Sequence, residues 1–289
     1  MIASISSSFS SPRLRKLALA MTALVALTLI AAALYQFAFV NPKFFSYAME
    51  LRAPRLIVML TAGFSISAAA IVFQTIIRNN IVTPCLLGMN SLYLLIHTAV
   101  VFFFGSGSQF ATNPVMAFAV DIVLMGVIAT FIYYSIFKKT GGNVLYVLLI
   151  GTVLSTFFSS MQNSLTRIMD PNEYDALLNT LVANFTNVNM ACIIPGILIL
   201  VLIALWLRKD IAILDIISLG RDQAISLGVD YERVLRRLMV GVALYIAVAT
   251  SLVGPLSFLG LITANLSRRL FIYFNCHSLA LGRRGNRGR

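Results

Sequence analysis

Charge is what this sequence has least of. Asp, Glu, Lys and Arg make up 11% of its 289 residues, whereas soluble domains carry roughly a quarter. Too few polar side chains exist to coat a water-soluble fold of this size. There are only two histidines, and the three cysteines, Cys85, Cys192 and Cys276, are odd in number and far apart. That pattern supports neither a disulfide framework nor a metal cluster. No directly bound cofactor is expected, and any metal handled here arrives already wrapped in a ligand. No GxxxxGK[ST] run occurs, so ATP hydrolysis, if the chain depends on it, belongs to a partner. The net charge is +12, but four of the 22 basic residues stand in the last seven positions and most others lie in short loops. With no basic face carrying interleaved aromatics, nucleic acid is not an expected partner.

What is present is apolar: 59% of the residues are hydrophobic and the mean hydropathy is +0.90. Runs of about 20 apolar residues, enough to cross a hydrocarbon layer about 30 Å thick, recur along the chain. The spacing predicts spans over 17–40, 56–77, 86–104, 114–137, 143–162, 190–207 and 238–253, an all-α polytopic bundle. The first run is too long for a signal-peptide core and reads as a retained span behind a short N-terminus, residues 1–16. Polar ELRAPR (Glu50–Arg55) precedes the second span. Gly88, Asn90 and Ser91 break the third early, Pro195 and Gly196 are placed to bend or interrupt the sixth, and Gly254-Pro255 through Gly260 interrupts the last. Such breaks are tolerated in a membrane only where protein or water satisfies the backbone. A short helix outside the hydrocarbon is expected between Asn163 and Asn189.

Isolated polar residues within the spans admit two readings each. Gln74 is either a helix-interface residue with water access or part of a transport path. His97 reads as a hydrogen-bonded packing residue ahead of a metal ligand. Asp121 is a lone intramembrane acid, a functional candidate by default, although one acid makes no proton pathway. With the N-terminus in the cytoplasm, twelve basic loop residues, including Arg78, Lys138, Lys139 and Arg208, face inward against four outward, Lys43, Arg52, Arg55 and Arg167. That asymmetry favours this orientation.

The polar island Arg208–Arg237 separates two hydrophobic blocks and mixes Ile213, Ile216, Ile217 and Leu219 with Asp215, Arg221 and Asp222. The pattern suits a short amphipathic element, serving either as an ordinary charged hairpin or as a docking element for a soluble partner. Its run SLGRDQAISLGVDYERVLR (Ser218–Arg236) resembles the cytoplasmic coupling segment of FecCD-type permeases, which import iron-siderophore complexes and vitamin B12 in ATP-binding cassette transporters. LRAPR (Leu51–Arg55), RNNIVTPCLLGMNS (Arg78–Ser91), Gly141-Gly142 and VGPLSFLGLI (Val253–Ile262) extend the resemblance over nearly the whole chain.

The resemblance implies a type II importer permease with ten membrane helices per chain. It pairs with a second permease subunit, a homologue or a copy of itself, in the inner (plasma) membrane of a bacterium, Gram-negative on this reading. Two cytoplasmic ATPase subunits would use the ATP, and a periplasmic or lipid-anchored siderophore-binding protein would deliver iron as a chelate. Ser218, Leu219, Gly220, Arg221, Asp222, Ala224, Leu227 and Gly228 become coupling residues. Leu87, Gly88, Asn90 and Ser91, with Gly254, Pro255, Ser257, Phe258 and Gly260, would stand near the translocation path or gate, as would Gln74. Arg52 and Arg55 would either anchor a helix at the outer interface or meet acidic groups of the binding protein. GGNVLYVLLIG (Gly141–Gly151) and DPNEY (Asp170–Tyr174) look closest to permeases for catechol-type ferric siderophores.

Three departures stand out. Ala264-Asn265 replaces the family's Pro-His pair, and Asn184–Asn189 replaces a Gly-Ser-Leu element. From Phe274 the chain ends FNCHSLALGRRGNRGR where relatives continue with membrane helices, the pattern of a frameshift or truncation. The domain expectation is thus one permease domain over 17–274, with its coupling segment at 208–237 and an atypical tail at 275–289. A vitamin B12 or haem permease, an ion-driven carrier using Asp121 and an inactive truncated permease are the alternatives.

Overall fold

The computed structural model describes residues 12–38, 45–105, 107–108, 113–140, 144–186 and 189–268. Expectations for residues 1–11, for Gly141-Gly142 and for everything after 268 lie outside them. The described chain is helical: α1 Pro12–Phe37, α2 Phe45–Ile77, a π-helical turn Cys85–Met89, α3 Asn90–Phe104, α4 Pro114–Thr140, α5 Val144–Ile168, α6 Pro171–Leu181, α7 Met190–Ala212, α8 Leu214–Ser218, α9 Arg221–Ser226 and α10 Tyr231–Val253. A final helix, α11, covers 259–268. Among the described residues, six stretches are long and apolar enough to cross a membrane by length and composition: α2, Leu87–Phe104, α4, α5, α7 and α10. The described residues fall into two compact units, those within Met1–Leu56 and Asn265–Arg289, and Ile57–Ala264.

Several boundaries differ from expectation, each for a local reason. ELRAPR is not a loop, because α2 runs through Pro54. The carbonyl that Pro54 leaves without a donor is that of Glu50, which is exposed and therefore solvated. Pro195 likewise fails to interrupt α7. Its missing N–H would have served Ala191, an exposed first-turn residue, where a lost bond costs little. α5 continues to Ile168, six residues past the expected end. α10 begins at Tyr231 rather than Leu238, where Asp230 caps it by accepting from the Arg233 amide at 3.2 Å. Its charged first turns still bury Val234, Leu235 and Leu238, an amphipathic register that average polarity concealed. The expected short outer helix is α6, with Asp170 accepting from Asn172 N at 2.9 Å and Pro171 at the first helical position.

Within Ile57–Ala264 the core is built around α10, the most buried of the candidate spans. α4 and α7 pack on it, while α3 packs on α5. Missing side chains make the contacts close. A methyl at Gly126 of α4 would come 2.7 Å from Leu244, one at Gly196 of α7 would come 3.2 Å from Leu252, and Gly241 of α10 seats Leu207. Such small-residue seats give membrane helices their packing energy when lipid offers no hydrophobic contrast. The buried Ser65 hydroxyl adds a polar tie, donating to Tyr245 O at 2.6 Å.

Candidate functional site

The ends of the island continue α7 to Ala212 and open α10 at Tyr231, and its middle folds as two short helices separated by a glycine, α8 and α9. Gly220 (φ 114°, ψ 169°) separates α8 from α9; this backbone region is essentially glycine-only. Gly228 (φ 80°) closes α9, with Val229 N donating to Ala224 O at 3.0 Å, the six-residue bond of a Schellman cap. Ile217 and Ala224 are buried, whereas Leu219, Ile225 and Leu227 are 49%, 52% and 61% exposed. The expected coupling residues therefore divide. Ala224 and Gly220 are inside, while Leu219 and Leu227 form an apolar outer face beside exposed Arg221 and Asp222. Ile225, not singled out from sequence, belongs to that face.

Arg78 supports the segment from behind. It is the one described non-glycine residue with positive φ (57°), and Asn79 N donates to Gln74 O at 3.1 Å, so Arg78 occupies the left-handed cap position of α2. Its guanidinium reaches Leu219 O at 3.4 Å, and a methyl on Gly220 would stand 3.1 Å from its Nη1. Arg221 pairs with Glu232 at 3.5 Å, and Arg237 with buried Asp210 at 3.8 Å, joining the end of α7 to the start of α10. Gln74 is fully buried, and its Nε2 donates to Asn80 O at 2.9 Å. It holds the turn after α2 and lines no open path in this structure.

The two expected gate segments meet. Gly88 (φ 98°) kinks the chain inside the Cys85–Met89 turn, just ahead of α3, and a methyl there would lie 3.0 Å from the Ser155 Cα of α5. Tyr133 Oη donates to Leu87 O at 2.6 Å, and Ser91 is bridged to Ser155 at 3.0 Å and Ser159 at 3.1 Å. Asn90 Nδ2 donates to Ser257 Oγ at 3.1 Å, a bond across 167 positions. On the other side of that bond, Gly254 (φ 95°, ψ −177°) ends α10, Asn184 N donates to Val253 O at 2.7 Å, and Gly260 packs on Ile66. Pro255 is half-buried, and Ser257 and Phe258 are exposed.

α5 carries a further polar feature. Thr152, Thr156, Ser160 and Ser164 recur every fourth residue, and all four are exposed, forming one polar row on an apolar helix. Thr156 and Ser164 return hydrogen bonds to Thr152 O and Ser160 O at 3.0 and 2.8 Å, which lowers but does not remove the penalty of facing lipid. The four-residue spacing was the available signal. Such a row fits a water-filled path or another subunit better than hydrocarbon.

Outside these segments, Arg52 Nη1 donates to Tyr35 O, Gln36 O and Ala38 O at 3.0, 3.3 and 2.8 Å. It caps the carbonyls at the C-terminus of α1, as a basic side chain does. Arg55 is half-buried. His97 Nδ1 lies 3.1 Å from Asp121 Oδ2, with the Tyr93 ring stacked on the imidazole at 5.9 Å. Among the described residues, no group of three or more His, Cys, Asp or Glu is placed to hold a metal ion.

Comparison with known proteins agrees with this architecture. Residues 14–281 match the FecCD transport family. The chain is 35% identical over 222 residues to the petrobactin import system permease protein YclO of Bacillus subtilis, covering 77% of this chain and 70% of the relative. It is 31% identical over 230 residues to the permease FatC of a petrobactin import system in Bacillus anthracis, covering 78% of this chain and 64% of the relative. A solved metal-chelate type ABC transporter in an inward-facing conformation superposes with TM-score 0.66 at 23% identity, over 87% of this chain and 80% of that one. That likeness concerns the fold.

Proposed function

Since the chain belongs to the FecCD transport family, we propose that it is the membrane permease subunit of an ATP-binding cassette importer carrying iron as a siderophore chelate across a bacterial plasma membrane. The observation that carries the mechanism is α10. This uninterrupted 23-residue helix begins three residues after Gly228 and ends at Gly254, about 34 Å of rigid rod between the coupling segment and the gate. Two cytoplasmic ATPase subunits grip Leu219, Ile225 and Leu227, with Arg221 and Asp222 as the polar rim. Their nucleotide-driven closure moves α8 and α9. Arg78 passes the movement to α2, and α10 passes it to the segment held by Asn90 and Ser257. The segment can be driven only if the ATPases bind it with different strength in their two states.

The N-terminus and island lie in the cytoplasm on this reading, in keeping with the twelve-to-four distribution of basic loop residues. A second permease subunit faces the polar row of α5 and encloses the path. The binding protein, periplasmic or lipid-anchored, docks on the opposite side. Petrobactin permeases among the relatives support a siderophore cargo, and the Gly141–Gly151 and Asp170–Tyr174 motifs support the catechol type. The permease domain spans 17–274.

Reconstitution with the neighbouring ATPase and binding protein tests this, using labelled ferric catechol and hydroxamate chelates, haem and cobalamin. ATP-dependent uptake of a catechol chelate is the expected result. Uptake that persists without the ATPase points instead to an ion-driven carrier, and preferential cobalamin or haem uptake reassigns the cargo. An inactive permease gives no uptake of any.

A further inference from the structure

Between α4 and α10 an open groove of about 580 Å³ runs along the protein surface. Val123, Val127 and Phe131, which are 61%, 64% and 72% exposed, form one wall, and Leu244 of α10 helps form the other. The end nearest the coupling segment is different, for Arg236, Tyr134 and Thr130 line it. Three arginines lie close together on the first turns of α10. Arg233 is paired with Asp230 at 3.2 Å and Arg237 with Asp210 at 3.8 Å. Arg236 is exposed and has no acidic partner among the described residues. The Thr130 hydroxyl is buried and also lacks a partner.

The dimensions match one leaflet. Ile122 and Tyr134, both in the lining, are twelve residues apart on α4, about 18 Å of helix. A single leaflet's hydrocarbon is about 15 Å, half the core thickness. An apolar slot one leaflet deep, with an unpaired guanidinium and a phenol at the interfacial end, complements a lipid whose phosphate carries net negative charge. A second copy of the chain is a poorer occupant, because its helix would place apolar side chains against Arg236 while the polar row of α5 stayed uncovered.

We propose that this groove is a binding site for an anionic phospholipid of the leaflet on the coupling-segment side. One acyl chain lies between α4 and α10, and the phosphate sits on Arg236 with the Tyr134 hydroxyl beside it. The lipid bridges the α10 rod and its neighbour at the end where force enters.

Native mass spectrometry of the full chain, titrated with phosphatidylglycerol or phosphatidylcholine of matched chain length, tests this. Phosphatidylglycerol is expected to bind more tightly. Arg236→Gln should weaken its binding about fivefold, which corresponds to about 1 kcal/mol for one basic residue at a membrane surface, and should leave phosphatidylcholine unchanged. Val127→Trp, at an exposed wall position, should reduce retention of both lipids by filling the slot. Arg233→Gln should change neither. Equal binding of the two lipids to the wild type, or no effect of Arg236→Gln, overturns the proposal. Displacement by glycerol phosphate would assign Arg236 to free anions, and disulfide-linked dimers of Val127→Cys would assign the groove to a second copy. Either result refutes the lipid site.

Discussion

Gly254 offers the sharpest test of the gate geometry, through a graded series of glycine-to-alanine substitutions. Gly63 lies inside α2 with nothing within 4 Å of where a methyl would stand. Gly63→Ala should therefore stabilise by up to about 1 kcal/mol, the helix-propensity difference. Gly228 (φ 80°) is also unobstructed, so Gly228→Ala meets only the left-handed penalty of about 1–2 kcal/mol. Gly254 combines two penalties. Its φ of 95° and ψ of −177° lie in a region that costs a side chain about 1–3 kcal/mol. The added methyl would also stand 2.9 Å from Ala183 Cα and 3.2 Å from Val182 O. These are backbone atoms, so no rotamer change relieves the collision. The chain at 182–184 must retreat, losing the Asn184–Val253 bond and about 1 kcal/mol more. Gly254→Ala should lose about 2–4 kcal/mol by these terms. The assay is the unfolding midpoint of the purified permease in mild detergent, read beside ATP-dependent uptake. A Gly254→Ala protein as stable as wild type, or one ranking above Gly228→Ala, would refute the reasoning.

Four further outcomes are expected. Gly220→Arg, or Gly228→Arg, should weaken ATPase co-purification while the chain still inserts into membranes; undiminished binding in both would displace the coupling surface from α8 and α9. Arg52→Ala should destabilise the protein by about 1.5–3 kcal/mol, the range for hydrogen bonds to a charged group, read as a lower unfolding midpoint, while Arg55→Ala should not. Equal effects would mean that capping of α1 is not what Arg52 does. A double-mutant cycle of Asn90→Ala and Ser257→Ala should return about 0.5–1.5 kcal/mol of coupling, and an importer reconstituted with either variant should show reduced uptake while its partner ATPase still hydrolyses ATP; additive stabilities would separate the two segments. Burial pushes the Cys85 thiol from 9.0 up to about 12, so in a Cys192→Ser, Cys276→Ser background it should resist maleimide at pH 8 until the protein is unfolded. Because an unfolded thiol ionises first, its contribution is intact below about pH 9 and is lost as pH rises from there towards 12. Rapid native labelling would show that the turn is open.

The sequence by itself determined the features that depend on near neighbours. Long apolar runs require a helical membrane protein, and Gly88 and the Gly254-Pro255 pair mark breaks, because glycine and proline interrupt helices. The island's alternation of apolar and charged residues required a short amphipathic element, and Asp170-Pro171 announced α6. The family resemblance then connected these pieces to an importer permease. Boundaries at Glu50–Arg55 and Tyr231–Arg237 are not legible in average polarity, because a polar stretch hides a helix that buries only one stripe. Other features were decided by the tertiary structure. Only packing turns Ile225 outward and Ala224 inward, aims Arg78 at Leu219, and leaves Arg236 alone among three arginines. The bond from Asn90 to Ser257 joins residues 167 positions apart, and the pair of His97 and Asp121 joins two different helices. Local propensity acts over a few residues, whereas these pairings depend on how distant helices pack, as the glycine seats at Gly126, Gly196 and Gly241 illustrate for α4 and α7 against α10.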